Sequence, residues 1–241
     1  MRWLLLGPVV CALLASPAMA AADPAAATAT PEVTIGPAVI RANFAQEVAS
    51  ADAQELANWV LATSNHGTLP FMIIDKVQAK VFVFDRKGQL LGTTTALIGL
   101  AIGDDSVPGI GNRPLSSIRP HERTTPAGRF VASLARDHKG EELLWVDYDT
   151  SVSLHPVVKG HPSERRAQRL ASPSPKDHRI TYGCINVPVK FYETVVNPTF
   201  TGTNGIVYIL PETRSARQVF GSYDVLDPAP SARATTLSAS P

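Results

Sequence analysis

Ile180-Thr181-Tyr182-Gly183-Cys184-Ile185-Asn186 places a thiol directly after a glycine, with apolar residues nearby. Such a thiol can act as a nucleophile once its proton is removed, because the thiolate is the attacking species. Gly183 permits tight backbone geometry just before the sulfur. Pro188 begins a helical pattern with Val189, Tyr192, Val195 and Val196 on one face. The spacing therefore predicts a helix N-terminus, with its unpaired N–H groups and positive dipole end, within a few residues of Cys184. The same residues also suit core packing, since free cysteine is among the most buried residue types.

A base must take the thiol proton, and six histidines are available. His66, after the first helical pattern, and His121 and His138, among charged residues, read as solvated. His161 (after Lys159-Gly160) and His178 (after Lys176-Asp177) read as loop positions. His155 differs, because it ends a strand pattern, Ser151-Val152-Ser153-Leu154, in which Val152 and Leu154 face the core. A strand end holds a side chain rigidly, as a base requires. His155 and His161 have no carboxylate or thiol at ligand spacing, so no metal and no organic cofactor is implied.

The 241 residues are 44% hydrophobic and 18% charged, with net charge +1 and two cysteines. That apolar share excludes a disordered chain, and two cysteines exclude a disulfide scaffold or zinc ribbon. Near-neutral charge argues against a nucleic-acid partner. Residues 1–20 carry Arg2, an apolar run from Leu4 to Leu14 and the small-residue pattern Ser16-Pro17-Ala18-Met19-Ala20, which together read as a signal peptide. The run is too short to span a bilayer, and Val9-Val10 before Cys11 does not suit a lipid anchor, so no stable membrane anchor is expected. Cleavage would remove Arg2 and Cys11, leaving a neutral exported chain whose single cysteine is Cys184.

The elements that must position these groups follow. Residues 21–38, rich in Ala, Thr and Pro, read as a spacer, and 212–241 as a flexible tail. Residues 39–70 form a helical segment. Phe44, Val48, Leu56, Trp59 and Val60 predict an amphipathic helix over 44–62 capped by Asn43. From Phe71 the pattern becomes β: a hairpin turning at Asp85-Arg86-Lys87-Gly88, then strands at 129–134, 143–146, 152–155 and 205–210. Residues 99–126 are a long loop of the kind that more often carries function. Residues 163–170 form a short charged helix. The fold class is mainly β with a few helices, in one domain.

Thr181-Tyr182-Gly183-Cys184-Ile185-Asn186 resembles the signature of the L,D-transpeptidases, the YkuD-type peptidoglycan enzymes: Ser/Thr-His-Gly-Cys-apolar-Asn/Arg, with a histidine upstream. The order, histidine before cysteine, agrees. Residues 75–84 look like the first strand of that domain, and Thr124-Thr125-Pro126-Ala127-Gly128-Arg129-Phe130 is similar to its Thr-Pro-x-Gly-x-Phe segment. The resemblance covers about 70–211 and implies a single β-sandwich catalytic domain over 71–211. It makes Cys184 the nucleophile and His155 the base. It also puts Gly183 at the motif glycine, with backbone N–H groups of 182–184 as oxyanion donors, and has the Pro156 carbonyl orient His155. Thr181 and Asn186 become candidates for substrate contact.

Two positions depart from that pattern. Tyr182 stands where the family has histidine, and the 29-residue interval from His155 to Cys184 is longer than usual. The excess, 156–178, carries Arg165, Arg166 and Arg169, read either as a lid that binds substrate carboxylates or as a solvated helix face. The resemblance implies an exported, periplasmic or cell-envelope cysteine acyl-transferase that acts on peptidoglycan stem peptides and forms 3→3 cross-links through a thioester. Alternatives are an L,D-carboxypeptidase using the same site and, on the strength of Tyr182, a catalytically weak peptidoglycan-binding protein. A sortase-like transfer is less well matched, because its Thr-Leu-x-Thr-Cys signature is absent here.

Overall fold

The computed structural model describes residues 40–227. The expected signal peptide over 1–20, including Cys11, the expected spacer over 21–38 and residues 228–241 of the expected tail lie outside them. Ten strands and a few short helices make up the described chain, in accord with the mainly β expectation. In chain order the strands are β1 (Phe71–Asp75), β2 (Lys80–Phe84), β3 (Leu90–Thr95), β4 (Ile98–Gly99), β5 (Gly128–Arg136), β6 (Glu142–Asp147), β7 (Val152–Pro156), β8 (Arg179–Thr181), β9 (Ile185–Val187) and β10 (Gly205–Ile209). Eight of them form one mixed sheet in the order β3-β2-β1-β10-β5-β6-β7-β9, and β4 pairs with β8 in a small parallel sheet.

The alternation of side chains explains why the central strands read as continuous apolar runs. Met72, Ile74, Val81, Val83, Val207 and Ile209 face one core, while Phe71, Ile73, Phe82, Phe84, Ile206 and Tyr208 face another. A sheet covered on both faces needs no polar face. The first core also takes in Leu144, Leu154, Ile185 and Val187 from the far end of the sheet. Residues of β2 and β9 meet in one core only because the sheet curls, and a bridge between Leu97 and Asn186 draws the two ends together. The two layers of the expected sandwich are thus halves of one curled sheet.

The second core is covered by α1 (Ala51–Ala62), which begins later than its apolar spacing predicts. Ser50, not Asn43, is the cap: its hydroxyl accepts from the Ala53 N–H at 3.2 Å and donates to Asp75 Oδ2 at 2.6 Å. Asn43 instead pairs with the hairpin through Gly88 and Leu90, and Phe44 packs edge-on against Phe82 and Phe84. Val48 is 82% exposed. Ser50→Ala removes the cap and one partner of buried Asp75, so we expect a loss of about 1–2 kcal/mol, measured by denaturant titration.

Further corrections concern the hairpins and the chain's later segments. Residues 75–84 are not one strand, because Asp75 Oδ1 accepts from the Gln78 N–H and Ala79 takes φ 50°, closing a tight turn between β1 and β2. The helical segment after Pro188 comprises α3 (Val189–Phe191), a π turn (Tyr192–Val196) and α4 (Asn197–Phe200). Tyr192 and Val196 are buried there, whereas Val189 is exposed. The segment after 212, expected to be a tail, carries α5 (Ala216–Phe220) and is packed as far as Val225. There the Ser215 hydroxyl caps the helix, and Ala216 and Phe220 lie against the second core. No helix among the described residues is long and apolar enough to cross a membrane.

Candidate active site

β7 runs parallel to β9, with Leu154 opposite Ile185, His155 opposite Asn186 and Pro156 opposite Val187. The alternation of the pleat then sorts the side chains. Leu154 and Ile185 enter the core, while Ser153 and His155 share a face with Cys184 and Asn186. Ser153 Oγ lies 3.6 Å from Cys184 Sγ, and His155 Nε2 lies 3.0 Å from Asn186 Nδ2. His155 Nδ1 lies 2.8 Å from its neighbour's carbonyl oxygen at Pro156, the orienting contact expected there.

The thiol and the imidazole are coupled. Burial pushes the Cys184 thiol up, but the hydrogen bond and charge of His155, then the N–H and hydroxyl of Ser153, outweigh it and hold the thiol below its ordinary pKa. Burial pushes His155 down, and the hydrogen bond and charge of Cys184 together with the Pro156 carbonyl outweigh it and raise the imidazole. The positive charge of Arg166 opposes that rise. Each group thus moves the other toward its charged form. The helix dipole expected to do this is too far away. Pro188 is four residues past Cys184 along the extended β9, about 13 Å at about 3.3 Å per residue, and a dipole's effect fades within a turn.

The backbone at the thiol is fixed from both sides. Thr181 Oγ1 donates to the Cys184 carbonyl at 2.7 Å and accepts from the Gly183 N–H at 3.1 Å. Thr125 Oγ1 donates to the Gly183 carbonyl at 2.8 Å. Gly183 has φ 132°, and a Cβ there would stand 2.7 Å from the Thr124 carbonyl oxygen, so only glycine fits. Gly183→Ala is expected to cost on the order of 3 kcal/mol. A lowered denaturant midpoint together with slower Cys184 alkylation is the expected result.

Cys184 is half-buried and opens on a cleft of about 80 Å³ lined in part by Tyr182, Ile110, Leu115, Ile118 and Thr150. The Tyr182 ring is covered by Arg123, whose guanidinium carbon sits 3.9 Å from the ring centroid while Nε and Nη2 donate to the Ile118 carbonyl. The loop over 99–126 therefore builds one wall of the cleft, and its interior is made of three short 3₁₀ turns.

Several expected substrate contacts are turned toward the chain itself. Thr181 and Asn186 are buried, the first in the turn just described and the second between His155 and Arg166. Arg166 donates to Glu164 and Asn186, and Arg169 donates to the carbonyls of Glu164 and Asp177. These guanidinium groups are taken up by the chain itself, within the insertion and, for Arg166, also at Asn186 of β9, and of the three arginines only Arg165 is exposed. The charged helix expected over 163–170 is interrupted at Arg165, in the left-handed region at φ 50°, so that α2 covers only Arg166–Leu170.

Two histidines read as solvated or loop-like are buried. His66 Nε2 meets the Arg86 carbonyl at 3.0 Å, and both ring nitrogens of His178 meet carbonyl oxygens, of Ala96 and Ser172. Sequence reasoning missed Ser153, Thr125 and Arg123. The strand alternation carries the signal for Ser153, since it shares a face with His155. Thr125 and Arg123 reach the site only through tertiary folding.

No protein-family model matches the chain, and no curated protein matches it. Among solved structures, it is similar to an L,D-transpeptidase from Xylanimonas cellulosilytica, at 11% identity over 59% of this chain and 60% of that one, with a TM-score of 0.39. It is also similar to the catalytic domain of an L,D-transpeptidase from E. faecium, at 16% identity over 60% and 99% of the two chains, TM-score 0.37. A third is an L,D-transpeptidase from Mycobacterium tuberculosis, at 14% identity over 59% and 58%, TM-score 0.36. The match thus spans less than two thirds of the first and third of these chains. Any functional reading has to stand on the site itself.

Proposed function

We propose that the protein is a cysteine acyl-transferase, exported to the periplasm or cell envelope, that acts on peptidoglycan stem peptides as an L,D-transpeptidase. The observation that carries this reading is geometric: the parallel pairing of β7 with β9 sets His155 on one face with the half-buried Cys184 thiol, where the imidazole opposes the effect of burial on that thiol. The resemblance of Thr181–Asn186 to the L,D-transpeptidase signature supplies the substrate class.

The Cys184 thiol passes its proton to His155, and the thiolate attacks the carbonyl carbon of the amide between an L-centre and the terminal D-residue. The resulting oxyanion is met by backbone N–H groups. The Gly183 N–H is committed to Thr181, which leaves those of Tyr182 and Cys184 for this role. His155 then protonates the departing amine, the C–N bond breaks and a thioester remains on Cys184. An amine of a neighbouring stem attacks that thioester, gives its proton to His155 and expels the thiolate, forming the 3→3 cross-link. Water in place of the amine would give carboxypeptidase activity.

Tyr182 favours a second reading. It stands at the motif histidine and puts a phenol where the motif has an imidazole, so a weakly catalytic stem-peptide binder of the same architecture is the alternative. Incubation with disaccharide-tetrapeptides, followed by mass spectrometry, separates these outcomes. Cross-linked dimers that vanish in Cys184→Ala are the expected result. Tripeptides alone would assign the carboxypeptidase, and no cysteine-dependent product would overturn both enzymatic readings.

A further inference from the structure

A row of side chains connects the 156–178 insertion to His155. Arg166 Nε donates to Glu164 Oε2 at 2.6 Å, and Arg166 Nη1 donates to Asn186 Oδ1 at 2.7 Å. Asn186 Nδ2 in turn lies 3.0 Å from His155 Nε2, and His155 Nδ1 lies 2.8 Å from the Pro156 carbonyl oxygen. Asn186 is 1% exposed, so water does not substitute for these partners.

Donor and acceptor inventories settle where the proton sits. A guanidinium has only donors, so the Asn186 atom that meets Arg166 is its carbonyl oxygen. The amide NH₂ therefore faces His155 and needs an acceptor there. A backbone carbonyl only accepts, so Nδ1 carries the hydrogen and Nε2 presents its lone pair. If Arg166 were absent, the Asn186 amide could turn over and accept from a protonated Nε2. With Arg166 in place, turning over would set the NH₂ against the guanidinium.

We propose that Arg166 is a positioning residue for His155: it locks the Asn186 amide with its NH₂ toward Nε2, which favours the Nδ1-protonated imidazole, and the insertion is the arm that delivers it. The arginine thereby opposes the rise that Cys184 and the Pro156 carbonyl give the imidazole. This deepens the reading of His155 as the base for Cys184 and rests on it for its purpose. The charged and titratable groups that act on His155 are Cys184, from the turn after β8, and Arg166, from α2, while Glu164 pairs with the other side of the guanidinium. In the proposed reaction, an imidazolium formed by taking the thiol proton meets an amide N–H to which it cannot donate. That disfavours its persistence and promotes proton delivery to the departing amine. The arm is itself anchored, because Thr95 Oγ1 donates to the Leu170 carbonyl and the buried His178 ring spans Ala96 and Ser172.

The test reads the imidazole directly by ¹⁵N-resolved NMR of the full chain, without substrate. In the unaltered protein His155 is expected to show the Nδ1-protonated tautomer at neutral pH. Arg166→Ala frees the amide to turn and removes a neighbouring positive charge, so the His155 titration midpoint should rise by about one pH unit, a tenfold gain in proton affinity. Asn186→Asp, nearly isosteric and still able to pair with Arg166, should raise it further. Arg166→Lys, which keeps a donor toward Oδ1, should restore most of the original midpoint. An Nε2-protonated tautomer in the unaltered protein, or an unchanged midpoint in Arg166→Ala, would overturn the proposal. If Arg166→Ala does not fold, an unchanged midpoint in Asn186→Asp does the same. Because the readout needs no turnover, loss of the stem-peptide reading leaves this result interpretable, and the reverse also holds.

Discussion

Replacing His155 with alanine is expected to lower Cys184-dependent product formation by about 10²–10⁴-fold, the usual worth of a positioned general acid–base. The effect is electrostatic. Burial alone pushes the Cys184 thiol up, and His155 is the larger of the two groups that bring it down, with Ser153 the smaller. Without the imidazole, burial acts with only Ser153 in opposition, and the alkylation midpoint of Cys184 should move up to that of a free thiol or beyond. The pH dependence has a definite sign. Below that midpoint the variant loses reactivity tenfold per pH unit, whereas the unaltered protein stays reactive to lower pH. Alkylation followed by mass spectrometry of the peptide bearing Cys184 checks this. Equal midpoints in the two proteins would remove His155 from the account.

Lys76→Ala is expected to have the largest effect on stability, about 3–5 kcal/mol, read as a lowered denaturant midpoint. The Lys76 ammonium is fully buried, 2.9 Å from Asp104 Oδ1 and 3.5 Å from Glu212 Oε1, and it donates to the carbonyls of Gly103 and Thr125. Removing it leaves the buried Asp104 carboxylate with its Thr213 and backbone donors but without its closest cation. Glu212 keeps Arg179, so the cost falls mainly on Asp104. Burial pushes the Asp104 carboxyl up, but the Lys76 ammonium, then the Thr213 hydroxyl and the N–H groups of Glu212 and Thr213, outweigh it and hold it well below the carboxylate range. The stability this provides is fully present above about pH 4, the unfolded value, and is lost as pH falls toward the folded one. The unaltered protein should therefore lose stability below pH 4 more steeply than Lys76→Ala. The site should feel the loss too, since the carbonyl of Thr125 accepts from Lys76 while its hydroxyl holds Gly183.

How much of this was legible in the sequence depends on how local the cause is. The strand pattern Val152-Ser153-Leu154-His155 gave both the core residues and the placement of His155, because a period of two needs only neighbours. Gly183 was legible for the same reason, as the backbone of a tight step demands it. The start of α1 was not, because Phe44 and Val48 keep helical spacing in a segment whose backbone pairs with the hairpin, and the hydroxyl of Ser50 decides the boundary. Nor was the fate of Arg166. Its charge suggests solvent or substrate, and only the parallel pairing of β7 with β9 brings Asn186 to the place where Arg166 and His155 meet. Glu212 was read as part of a tail because its partners, Lys76 and Arg179, are distant in sequence.

The central claim is that Cys184 carries the acyl group, and a trapped intermediate tests it most directly. Rapid quenching of the protein with a disaccharide-tetrapeptide, followed by proteolysis and mass spectrometry, should find the acyl increment, lacking the terminal D-residue, on the peptide bearing Cys184. It should be absent in Cys184→Ala and scarce in His155→Ala. Product formation with no increment on that peptide, or product formation that persists in Cys184→Ala, would contradict the account.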